Sequence, residues 1–572
     1  MRLVWCVILA TTLSGCGAMQ SAGRVIGEIL AAGTPPAAAL PRTTAERTNY
    51  RETSRYDAVV AFIDSLQALG LPIHVGSIGR STEGRDIPYI IASRPLVSTP
   101  AEARRLGRPV IYVQGNIHAG EVEGKEALLA LVRDLVASNR KNALDSIVLI
   151  AVPIYNTDGN ERVASQDGNR SNQNGPEIVG ERANGQRLDL NRDYIKAEAP
   201  ETRASLAMFE RWDPEVFVDL HTTNGSYHGY ALTYSPSLSP AAMDGGAFAR
   251  DSLLPELRRR MRGRHSFETF DYGNFSLDFA DPPTDTIKKG WFTYDHRPRF
   301  GTNYYGIRGR IAILSEAYSH DPFERRVKAT YAFVSELLSL AAEQRAEIIT
   351  TAAVSDARLA ATAARTQGAA RRLLVPVRSD LTKSPLDADV IVEDMVSTGD
   401  STVTEPGVPR GLRRTGRFRT QRMPMHDRFT PTLERALPAA YAIPDRSGLG
   451  EVVALLRIHG LRVERLEREW RASVEVMTID SVSRATRAFQ GHNEVTLRGT
   501  WQSTQRTLER GSFIVTAAQP LGVLAAYLLE PESDDGFATW NAFDAMIRRG
   551  EEFPVIRVVE PVTAPRREVS AP

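Results

Sequence analysis

"PVIYVQGNIHAGEVEGKEALLALVRDL", residues 109–135, runs from an apolar segment through a glycine-rich turn into a stretch with helical spacing. Apolar residues in an unbroken run predict a buried strand over 109–115, and the later i, i+3, i+4 pattern predicts a helix over 121–137. His118 and Glu121 stand between them. One reading is a polar loop with a helix N-terminal glutamate. The other is two ligands of one metal ion.

The same alternation continues on either side. Strand candidates are 87–93, 109–115, 146–156, 215–223 and 310–318, and helix candidates are 121–137, 200–211 and 322–346. Nearly continuous apolar strands separated by helices predict an α/β domain whose sheet is covered on both faces. In such sheets, ligands gather at the ends of strands. This domain is placed at 45–345, with a helical connector over 346–371. Residues 372–565 carry many short strand-like segments around one amphipathic helix, "GEVVALLRIHG", and form a smaller β-rich domain. The arginine cluster "RGLRRTGRFRTQR" (410–422) reads as a solvated loop rather than a polyanion site.

The chain has 572 residues, 42% hydrophobic and 24% charged, with a net charge of +1. That excludes a function built on overall charge, and nucleic acid is not an expected partner. "MRLVWCVILATTLSGC" has one basic residue and an apolar run too short for a comfortable membrane span. It resembles a bacterial lipoprotein signal over 1–16, with Cys16 lipidated and an Ala/Pro-rich tether over 17–44. The expected location is the cell envelope, lipid-anchored and facing the periplasm or exterior. Cys6 and Cys16 are the only cysteines. A metal site must therefore use His, Asp and Glu.

Zinc that acts catalytically needs three protein ligands and an open position. Of the ten histidines, His221 is the best third ligand, because it ends the apolar strand "EVFVDL" at the edge where His118 also sits. Glu316 ends another apolar strand, "RIAILSE", where a buried carboxylate is costly without a task. The bland alternative for it is an edge glutamate paired with an arginine. In "RLDLNRDY" (187–194), Arg192 has the planar fork that captures carboxylates, Asn191 precedes it, and Asp189 is positioned to accept the free ring N–H of a metal-bound histidine.

These residues, in this order, resemble the zinc carboxypeptidases of the M14 family. His118 and Glu121 match the H-x-x-E zinc pair, and His221 the third ligand. Glu316 matches the catalytic glutamate. "IGRSTEGRDI" (78–87), "NTDG" (156–159), "DLNR" and "PETRA" (200–204) match further family segments. The resemblance implies one zinc ion and a mixed sheet covered by helices on both faces. It also implies removal of C-terminal residues from peptides by a zinc-activated water, with Glu316 as general base. Asn191 and Arg192 would hold the terminal carboxylate. For the arginine that stabilises the oxyanion, Arg170 is the nearest match, with Arg162 and Arg182 in the same window. For the mobile tyrosine, Tyr294 lies at the right separation, with Tyr304 and Tyr305 as competitors. No acidic specificity residue can be aligned, so a neutral terminal side chain is expected. The alternatives are a zinc-dependent N-acyl amino-acid deacylase or cell-wall peptide amidase, and a non-catalytic zinc or peptide-binding surface lipoprotein.

Overall fold

The computed structural model describes residues 40–569 apart from 243, 276–288, 366–372, 404–407 and 409. Cys16 and most of the tether lie outside the described residues. Eight strands form one mixed sheet: β1 (Ile73–Arg80), β2 (Asp86–Ala92), β3 (Val110–Gly115), β4 (Val148–Val152), β5 (Val216–Thr222), β6 (Leu232–Pro236), β7 (Thr269–Asp271) and β8 (Ile311–Ala317), in the order β1-β2-β4-β3-β5-β8-β6-β7. The central strands β4, β3, β5 and β8 are parallel. Every residue of β3, β5 and β8 is buried, which is why they read as continuous apolar runs rather than alternating ones.

The helices between them are α1 (Tyr56–Ala68), α2 (Glu123–Ala137), α3 (Pro200–Trp212), α4 (Leu254–His265), α5 (Gly301–Ile307) and α6 (Phe323–Glu343). The period-2 geometry of a strand divides them between two faces. Ile111, Val113, Val218 and Ile313 point to one face, under α1, α2, α4 and α6. Tyr112, Phe217 and Ala312 point to the other, under α3 and α5. The α/β domain expected over 45–345 thus has both faces covered. Helix α7 (Arg345–Arg365) follows α6 directly.

The C-terminal region is β-rich. Strand β9 (Leu374–Thr382) begins it, followed by β10 (Ala388–Ser397), β11 (Leu412–Met423) and β12 (Arg428–Ala436). β9 pairs with β12, and β10 with β11, all antiparallel. A seven-stranded sheet follows, whose longest hairpin joins β13 (Trp470–Arg484) to β14 (Val495–Leu508). The core beneath Tyr112 and Phe217 continues without a break into Tyr441, Leu456, Leu524 and Phe537 of this region. The two parts share one hydrophobic interior.

Two elements differ from the sequence reading. The arginine cluster is strand β11, not a loop. Arg414, Arg419 and Arg422 pair with Glu393, Asp394 and Asp389 of β10, so these charges are met across the ladder. Gly522–Leu529 is a helix that no periodicity announced. All eight of its residues are buried, so it has no polar face to mark a 3.6-residue period.

Candidate active site

β5 and β8 run parallel and in register, so that Glu316 lies directly opposite His221 at their C-terminal ends. Beside them, β3 delivers the chain to the loop carrying His118 and Glu121. That loop is braced by the Asn116 side-chain amide, which donates to the carbonyls of Ala119 and Glu121. Helix α2 then packs close on β5. A Cβ on Gly124 would stand 2.7 Å from the Leu220 Cβ, so glycine is required for this approach.

The three putted-together donors converge. His118 Nδ1 lies 3.0 Å from Glu121 Oε1, His221 Nδ1 lies 3.0 Å from Glu121 Oε2, and the two Nδ1 atoms are 3.2 Å apart. Tetrahedral zinc with ligands at about 2.0–2.1 Å places its donor atoms roughly 3.3 Å from one another. The set therefore fits a zinc ion. The opposite ring nitrogens agree with this. His118 Nε2 lies within hydrogen-bond distance of Asp189 Oδ1 at 3.0 Å, which leaves its Nδ1 lone pair free for a metal, and His221 Nε2 lies 2.9 Å from the Asp219 carboxylate. Asp189 thus stands against the ring nitrogen of His118 that faces away from the donor set. Burial opposes its charge, but Arg182 and Arg192 hold its carboxyl well below the usual range.

Glu316 is not an edge glutamate paired with an arginine. It is 8% exposed, and its Oε2 has no hydrogen-bond partner although it is buried. Burial raises its carboxyl, to about 8, against the opposing pull of His221. His118, Glu121, His221 and Glu316 all line one cleft of about 520 Å³.

Asn191, Arg192 and Tyr294 line the same cleft. Asn191 Oδ1 accepts from the Gly301 N–H at 2.9 Å. The Arg192 guanidinium lies 3.9 Å over the Phe300 ring and donates to the Asn191 carbonyl, yet makes no ion pair with any described residue. Tyr294 packs edge-on against Tyr272, and burial raises its hydroxyl pKa. Tyr304 and Tyr305 are fully buried in the aromatic cluster with Tyr194 and do not reach the cleft.

Arg170 is not among the residues that line the cleft, but its side chain reaches the donor set, donating to Glu121 Oε1, Asn224 Oδ1 and the carbonyls of Thr222 and Thr223. Arg182 lines the cleft instead. It donates twice to Asp189 Oδ2 and stands 3.5 Å from Glu121 Oε1. Its place in the sequence, seven residues before Asp189, was the available signal. His228 is also outside the donor set, buried against Tyr318, with burial lowering its pKa to about 3. The "STEGR" segment serves the frame. Ser81 Oγ, the Glu83 N–H and Arg85 all donate to the buried Asp158 of "NTDG".

Sequence reasoning missed the cleft's other wall. Ser379, Asp380 and Leu381 of β9, Phe429 of β12, and Asp534 line it from the C-terminal region. Nothing in local spacing relates these residues to a site some 200 positions earlier.

Residues 59–305 match the zinc carboxypeptidase (M14) family model. A carboxypeptidase 2 from Trichophyton tonsurans is 23% identical over 496 residues, covering 84% of this chain and 81% of its own. That span extends past residue 372. Carboxypeptidase M from Mus musculus is 31% identical over 213 residues, 35% of this chain and 44% of that one. The carboxypeptidase A of Helicoverpa armigera aligns in structure with a TM-score of 0.38 at 17% identity, covering 57% of this chain and 81% of that chain. Residues 59–305 thus form a zinc carboxypeptidase (M14) domain, which makes the protein a metallopeptidase.

Proposed function

We propose that the protein removes C-terminal residues from peptides by hydrolysis. The observation that carries this reading is Arg192: a guanidinium without an ion pair, facing the cleft that also holds Glu316 and the His118–Glu121–His221 donor set. A fixed cation at that point suits a substrate ending in a free carboxylate.

A zinc ion held by the three donors would supply Lewis-acid polarisation and a water acidified towards neutrality. Glu316 takes a proton from the attacking water as its oxygen bonds to the scissile carbonyl carbon, and returns that proton to the leaving nitrogen as the C–N bond breaks. Arg182 faces the cleft beside Glu121 and donates to the carbonyl oxygen as it gains negative charge. Asn191 and Arg192 hold the terminal carboxylate, and Tyr294 closes over the bound residue. Arg170 and Asp189 hold Glu121 and His118 in orientation.

The N-terminal segment ending in Leu13-Ser14-Gly15-Cys16 supports lipidation at Cys16 and attachment to the bacterial envelope membrane. The activity is tested by digesting a peptide library with the purified protein, with and without chelator, and reading products by mass spectrometry. Loss of single C-terminal residues, abolished by chelator and restored by zinc, is the expected result. Release of acyl groups from acylated amino acids with peptides untouched would replace it with the deacylase alternative.

A further inference from the structure

Every charged group that lines the cleft outside the donor set and Glu316 has a partner, with two exceptions. Arg182 is held by Asp189, and Arg297 by Asp295. His296 stands 3.2 Å from Asp534. The exceptions are Arg192 and Asp380, which form no ion pair with any described residue. They have opposite charge and line the same cavity. Asp380 is exposed, on strand β9 of the C-terminal region, with its backbone fixed opposite Thr430 in the β9–β12 ladder.

This wall is fastened to the cleft at two separate points. Asp534 accepts from the Ser379 N–H and faces His296, whose ring stacks on Phe429 with centroids 4.5 Å apart. At the tip of the β13–β14 hairpin, Gln490 Oε1 accepts from the Asp189 N–H at 2.8 Å, two residues before Asn191. The same tip is tied by Glu494 to Arg299 and by His492 to Glu198. The C-terminal region is thus built into the substrate cleft, and its one unpaired charge there is a carboxylate.

We propose that Asp380 is a specificity-determining residue, through which the C-terminal region reads a cationic group on the substrate while Arg192 holds the terminal carboxylate. This rests on the carboxypeptidase reading. The cation has two sources: a basic terminal side chain, or the free α-amino group of a very short peptide. An anion at this wall lowers the cost of bringing either one out of water, and an isosteric neutral group gains nothing from it.

The test compares kcat/KM for four free-acid substrates on the full-length, zinc-loaded protein. N-blocked peptides ending in lysine or in acetyl-lysine form one arm. A dipeptide with a free or an acetylated amino terminus forms the other. The wild type is expected to prefer the charged member of one arm by roughly tenfold, and that arm names the source. Asp380→Asn should abolish the preference, and Asp380→Lys should invert it. The preference should also shrink as ionic strength rises, because Asp380 is exposed. Equal rates within both arms in the wild type, or a preference untouched in Asp380→Lys, overturn the proposal while leaving the carboxypeptidase reading standing. Failure of the wild type to cleave any of the four overturns both.

Discussion

His221 and Glu316 face each other across adjacent parallel strands, one residue against one, at the strand ends where the cleft opens. The register of β5 and β8 therefore fixes the separation between a candidate metal ligand and the proposed general base. A one-residue slip of either strand would turn its side chain to the opposite face of the sheet and separate the pair. The residues that set the register are the buried Val216, Val218, Ile311 and Ile313 on one face and Phe217 and Ala312 on the other.

The donor set predicts how metal is lost. His221→Ala removes one of three ligands, and no neighbour can replace it. His228 is seven residues away in sequence but packed against Tyr318, Tyr230 and Trp291. Purified His221→Ala should hold much less than one zinc per chain by elemental analysis. Full stoichiometry in that variant would mean that a different set of ligands binds the metal.

Glu316→Gln and Arg192→Ala should fail in different ways. The first keeps the shape and the zinc but lacks the proton acceptor, so kcat should fall by about 10²- to 10⁴-fold. The second removes a contact to the terminal carboxylate, so kcat/KM should fall sharply for free-acid peptides and much less for C-terminally amidated ones. Near-wild-type turnover by Glu316→Gln would remove the base. Equal losses on acid and amide substrates by Arg192→Ala would remove the exopeptidase reading.

Arg182 and Arg170 can be separated by the same logic. Arg182 lines the cleft, and Arg170 donates to Glu121 Oε1. At saturating zinc, Arg182→Ala should lose about 10²- to 10³-fold in kcat, the usual cost of one oxyanion donor. Arg170→Ala should instead weaken zinc affinity by roughly 10- to 100-fold and recover most of its turnover when zinc is added. The reverse pattern would return the oxyanion role to Arg170.

The candidate ligand His221 and Glu316 were legible because each sits where a continuous apolar run stops at a polar residue, and His118 and Glu121 because they follow such a run closely at a three-residue spacing. Asp189, Asn191 and Arg192 were legible as a short segment. The choice among arginines was not, because Arg170 and Arg182 occupy loops whose course depends on contacts far away in sequence. The wall formed by Asp380, Phe429 and Asp534 was invisible for a stronger reason. It exists only because the C-terminal region shares the core under Tyr112, and no period or spacing encodes that docking. The helix over Gly522–Leu529 was lost to the same cause, since complete burial erases amphipathicity.

Lipidation of Cys16 predicts a fractionation result. Cells expressing the wild type should yield the protein in the membrane fraction, released by detergent and not by salt. Cys16→Ser should be retained with its signal uncleaved or released to the soluble fraction. A variant processed and bound like the wild type would rule out the lipid anchor.

The contact between the two parts of the cleft should be sensitive to pH. His296 is 5% exposed and lies between Asp534 at 3.2 Å and Asp295 at 3.4 Å, with Arg297 beside them. Burial opposes its positive charge, but the two carboxylates outweigh burial and raise its pKa from 6.5 to about 9. A pKa raised in the folded state contributes stability that is complete below about 6.5, the unfolded value, and is lost as pH rises through 9. The contribution is on the order of 1–3 kcal/mol. His296→Ala removes the titrating group, so its thermal midpoint should lie below the wild type's at pH 6, and the gap should narrow steadily to pH 10. Because the His296–Asp534 contact joins the catalytic domain to the wall carrying Asp380, the loss should fall first on the docking of that wall. Protease nicking after β9 should therefore rise between pH 7 and 9 in the wild type and be high throughout in the variant. A gap between the two midpoints that stays constant with pH would show that folding leaves the His296 pKa unshifted and that this ion pair does not hold the wall in place.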